Sequence, residues 1–156
     1  MKKFTIIILI ATLGFSCKSG SSLSKEETIT SMTEKIESSS YTFIPQTALP
    51  TSGRSVNLNY SYSLKVSKDT ISAYLPYFGR AYSAPISPDD NGIKFTSTDF
   101  EYSVSDKRKG MWDVNMMTKD TQRKFNLILR VGDTGYATLT VNENNRQPIS
   151  FYGKIE

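Results

Sequence analysis

The 156-residue chain has no histidine and a single cysteine, Cys17. Without histidine no Ser-His-Asp or Cys-His arrangement can form, and one cysteine excludes an internal disulfide. A zinc site would have to be built from carboxylates alone, which suits poorly a metal that prefers nitrogen and sulfur, so neither metal nor cofactor is expected. Strong charge of one sign is also missing: the formal net charge is +4. The one dense basic run, Lys107, Arg108 and Lys109, stands beside Gly110, where a turn with a solvated tip is expected rather than a nucleic-acid site. A final absence is a long apolar run. Phe4 to Leu13 is apolar but gives way to Ser, Gly and Lys, well short of the ~20 residues that a spanning helix needs.

That short run is nevertheless informative. Lys2 and Lys3 form a positive start, Phe4 to Leu13 an apolar middle, and Gly14, Phe15 and Ser16 lead to Cys17, which is the anatomy of a secretion signal. The segment resembles the lipobox of bacterial lipoproteins, with Gly14 departing from its usual Leu. Residues 1–16 are thus expected to be removed and Cys17 to be acylated, anchoring the protein to a membrane by its N-terminal lipid. Loss of Lys2 and Lys3 leaves a charge of about +2. Residues 17–23, rich in Ser and Gly, read as the lipidated cysteine and a flexible tether.

Residues 24–156 are expected to form a single domain. Ser24 and Glu27 make a capping box, Ile29, Met32 and Ile36 share one helical face, and Ser38, Ser39 and Ser40 end that helix. From Tyr41 onward the period is two. Val56, Leu58, Tyr60, Tyr62, Leu64 and Val66 alternate with polar residues, and the pattern recurs at Ile71 to Leu75, Phe100 to Val104, Trp112 to Met116, Phe125 to Val131, Ala137 to Val141 and Pro148 to Ile155. Turn formers separate these runs at Lys68-Asp69, Asp106 to Gly110, Gly132 to Gly135 and Asn142 to Arg146. Short turns impose antiparallel neighbours, so the fold expected is mostly β: an up-and-down meander, barrel-like (lipocalin-like or a curled sheet), with one N-terminal helix.

The long irregular stretch from Pro76 to Gly92 contains Tyr77, Phe78, Arg80 and Tyr82. With Tyr74 they are the candidate binding residues, because long loops in compact domains carry function. A competing reading has Tyr77, Phe78 and Tyr82 plug the barrel and Arg80 pair with Asp99 or Glu101. Carboxylates offer little to catalysis: Asp89-Asp90-Asn91-Gly92 has Asx-turn composition, and Asp99, Glu101 and Asp113 carry no acid-base signature. A non-enzymatic protein is expected.

Tyr74 to Tyr82, Gly92 to Phe95, Gly110 to Val114 and Asn145 to Gly153 together resemble the family catalogued as domain of unknown function 4251, over Ser24 to Glu156. The resemblance implies a secreted protein of Bacteroidota, often a lipoprotein, with no activity attached. Surface export in those bacteria resembles a rule that wants acids after the cysteine. Lys18-Ser19-Gly20 departs from it, which implies an outer-membrane lipoprotein facing the periplasm. Two roles follow as expectations: a binding module for a small or peptidic ligand, or an interaction subunit docking on an envelope protein. An empty cavity would favour the first and a filled core the second.

Overall fold

The computed structural model describes residues 25–59, 61–82, 92–108 and 110–156, the side chains of 107 and 108 excepted. The signal, Cys17, the tether, Ser24 of the capping box, the Asp89-Asp90-Asn91 turn and the side chains of the 107–109 basic cluster lie outside that description. Among the described residues no helix is long and apolar enough to cross a membrane.

Helix α1 (Lys25–Glu37) opens the described chain and buries Met32 and Ile36. Ten strands follow among the described residues: β1 (Tyr41–Pro50), β2 (Val56–Asn57), β3 (Ser63–Val66), β4 (Ile71–Pro76), β5 (Gly92–Ser97), β6 (Phe100–Arg108), β7 (Met111–Thr118), β8 (Phe125–Gly132), β9 (Tyr136–Glu143) and β10 (Arg146–Ile155). The alternation from Val56 to Val66 does not produce one strand. It is split into β2 and β3, both paired with β1. Alternation records which side chains face the core, and an interrupted ladder keeps that record.

All strands but β2 form one path, β5-β4-β3-β1-β10-β9-β8-β7-β6, in which every step is antiparallel. The two ends of the path, β5 and β6, therefore run in the same direction. Only Thr98 and Asp99 separate them, so they act as one bent strand that pairs with β4 in its first half and with β7 in its second. The sheet thereby rolls into a nearly closed barrel, which removes most of the exposed edge. The Asp120 carboxylate holds the bend. It accepts from the Ser97 hydroxyl, from the Thr98 N–H at 2.8 Å and from the Asp99 N–H at 3.2 Å.

Inward positions fill the interior. Phe43, Leu64, Ile71, Leu127, Leu129, Leu139 and Phe151 are fully buried and belong to a single core that reaches Met32 and Ile36 of α1. The helix lies over one end: Lys25 pairs with Asp133 of the β8–β9 turn at 2.9 Å, and Tyr102 of β6 donates to the Ile36 carbonyl at 2.8 Å. Across β1 and β10, Gly153 faces Pro45 where the register shifts. A Cβ at Gly153 would fall inside van der Waals contact with the Ile44 carbonyl, so only glycine allows that approach.

Candidate functional site

The end of the barrel opposite α1 is built by the start of the β4–β5 loop, the β7–β8 turn and the β9–β10 turn. Loop and turn are joined by main-chain bonds: the Tyr82 N–H donates to the Asn145 carbonyl at 2.8 Å, and the Gln147 N–H donates to the Arg80 carbonyl at 3.0 Å. Beneath them lies Arg146, only 7% exposed. Its guanidinium donates to the Gly92 carbonyl at 3.0 Å, lies over the Tyr77 ring at 4.9 Å and pairs with Glu143 at 3.7 Å. Arg123 approaches the other Glu143 oxygen at 3.4 Å and lies over Phe125 at 5.9 Å. Phe125 in turn stacks on Phe95 with centroids 4.4 Å apart. Buried charges persist only when paired, and here one carboxylate bridges two guanidinium groups that each lie over an aromatic ring.

The five residues singled out in the sequence divide into three groups. Tyr77 is an anchor: its hydroxyl lies 2.9 Å from the Arg80 carbonyl and 3.0 Å from the Gln147 carbonyl, and its ring packs on the core. Burial raises its pKa, against the lowering effect of the Arg146 charge. Phe78 and Tyr82 do not plug the barrel. They are 42% and 69% exposed, because β4 ends at Pro76 and the chain turns over the rim instead of into the packed interior. Arg80 is exposed as well, and its contacts run through its main chain to Gln147. The pairing of Arg80 with Asp99 or Glu101 is not what holds the loop, since Glu101 pairs with Lys119 at 2.9 Å. Tyr74 faces outward on β4, away from this loop, stacked on Tyr62 at 5.5 Å with Lys94 over its ring at 5.2 Å.

Sequence reasoning missed Arg146, Glu143 and Arg123. The run Asn142 to Arg146 has the composition of a solvated turn, and nothing local shows that its two charged residues point under the neighbouring loop. An arginine directly preceding an alternating run was the available signal. Asp113 is likewise buried, but for a structural reason, as the Arg130 directly across from it bonds its carboxylate at 2.9 Å.

Beside the rim, a depression of about 260 Å³ separates Lys94, Phe95 and Thr96 of β5 from Thr121, Gln122, Arg123 and Phe125. A second, of about 500 Å³ at the helix-covered end, is lined chiefly by hydroxyl side chains such as Thr42, Ser67, Thr70 and Ser72. No group of three or more His, Cys, Asp or Glu able to hold a metal occurs among the described residues.

A family model described as domain of unknown function DUF4251 matches residues 23–155. No curated protein matches. Among solved structures, the chain is similar to the crystal structure of a DUF4251 family protein from Bacteroides eggerthii DSM 20697, with TM-score 0.61 and 10% identity over 82% of this chain and 86% of that one. At that identity the likeness is one of fold.

Proposed function

The chain belongs to the DUF4251 family, whose name carries no activity, and from the rim geometry we propose that it is a non-enzymatic recognition module that docks on a protein partner in the cell envelope. The observation that carries this reading is the division of labour at the rim. Tyr77 and Arg146 hold the loop from below, while Phe78, Arg80 and Tyr82 project from it. An aromatic pair beside an arginine is the composition enriched at protein interfaces. The partner surface would present a carboxylate to Arg80 and apolar area to Phe78 and Tyr82. The continuous core formed by the described residues favours a surface role over a small-ligand site inside the barrel. In this reading the Cys17 lipid tethers the domain to the outer membrane, facing the periplasm, and residues 17–23 supply the reach.

The test places a benzophenone photoprobe at Tyr82 in cells that carry the chain. A discrete adduct that disappears with Arg80→Ala, and that the same probe at Tyr136 on the far outer face does not give, is the expected result. The same pattern of adducts from both positions, unaffected by Arg80→Ala, would remove the docking role.

A further inference from the structure

Among the described residues the barrel is not sealed along its whole length. In an antiparallel ladder the N–H and C=O of one residue point to the same side, and successive residues alternate. Pro76 has no N–H, and the carbonyl of Gly92 opposite it accepts from Arg146. Pro76 and Gly92 are therefore a non-hydrogen-bonded pair, and Gly92, Lys94 and Thr96 turn their main-chain groups away from β4. On that side β5 has no strand neighbour among the described residues. The slot is pinned at both ends, by Arg146 on Gly92 and by Asp120 on the bend at Thr98. Between the pins lie the N–H and C=O of Lys94 and Thr96, next to the 260 Å³ depression.

We propose that this free edge of β5 accepts a short extended acidic segment of a partner protein as an added strand. The proposal rests on the docking reading and names the form of the partner. Strand addition draws affinity from main-chain bonds and specificity from alternate side chains. A residue opposite Lys94 shares its outer face, where opposite charges stabilise a cross-strand pair. Lys94 has no carboxylate partner among the described residues, its cation resting on the Tyr74 ring, whereas Arg123 is matched by Glu143. Residues flanking that acid would turn toward Phe95 and Phe125 and favour apolar side chains. The depression is also smaller than the roughly 300 to 1,000 Å³ of ordinary small-molecule pockets, so a strand crossing it fits better than a molecule enclosed by it.

The probe is a fluorescein-labelled, end-blocked six-residue peptide of alternating glutamate and valine, compared with one of alternating lysine and valine, titrated into the full chain and read by anisotropy. The glutamate peptide is expected to bind at least tenfold more tightly. Thr96→Pro removes an outward N–H that no ladder bond uses, and should weaken binding at least tenfold. Lys94→Glu, which leaves the main chain intact, should invert the preference between peptides. Arg80→Ala should leave peptide affinity unchanged while abolishing the Tyr82 adduct: an adduct that survives Arg80→Ala counts against the docking reading, whereas failure of the wild-type chain to bind the glutamate peptide counts against the added strand. Absence of saturable binding, or wild-type binding by Thr96→Pro, would overturn the proposal. So would a dimer of the wild-type chain that Thr96→Pro dissolves, since the edge would then belong to a second copy.

Discussion

Arg146 shows how one side chain organises a surface. It is nearly buried, yet its guanidinium reaches three structural units at once: the start of β5 through the Gly92 carbonyl, the β4–β5 loop through the Tyr77 ring, and the β9–β10 turn through Glu143. Removing it leaves the Glu143 carboxylate buried with only Arg123 to compensate it. Arg146→Ala should therefore cost about 2 to 4 kcal/mol in urea unfolding, somewhat under the usual cost of breaking a buried pair. Adding Glu143→Gln should recover part of that loss, because the orphaned charge is then gone. Additive losses in the double variant would show that the two residues act independently. None of this was legible locally. Charged residues in a turn look solvated until the loop that covers them is in place, and the covering loop lies more than sixty positions away in the chain.

Among the elements, the strands that read most plainly in sequence are those whose alternation is unbroken, Phe125 to Val131 and Ala137 to Val141, which became β8 and β9. The helix also follows its signals, with Ile29, Met32 and Ile36 on the core. The bend between β5 and β6 did not read as a closure device, since Thr98-Asp99 looks like any short turn; its meaning depends on Asp120 arriving from the β7–β8 turn. Hydrogen bonds from the Ser97 hydroxyl and the Thr98 N–H lower the Asp120 pKa from 3.8 to about 2. A carboxyl whose folded pKa is depressed contributes stability that is present above its unfolded value and is lost as pH falls through the folded one. Unfolding midpoints in urea should accordingly decline between pH 4 and 2, and Asp120→Asn should flatten that decline. Parallel curves for the two proteins would mean that the bend does not depend on this carboxylate.

For the whole molecule, period-two alternation and short turns were enough for a mostly antiparallel, barrel-like fold with one helix, because they state which faces must be buried and which strands must be neighbours. They could not state how the loop after β4 would divide. Tyr77, Phe78 and Tyr82 are similar in composition and close in sequence, and only the geometry of the Pro76 exit sends the first onto the core and leaves the others exposed. That division between anchors and contact residues is the centre of the functional account, and thermal unfolding of two variants tests it most directly. Arg80→Ala combined with Tyr82→Ala should melt as the wild-type chain does, while Tyr77→Phe, which loses the hydroxyl proton shared between the Arg80 and Gln147 carbonyls, should be destabilised by about 1 kcal/mol. A drop in the double variant as large as that in Tyr77→Phe would contradict the account and return the whole loop to the core.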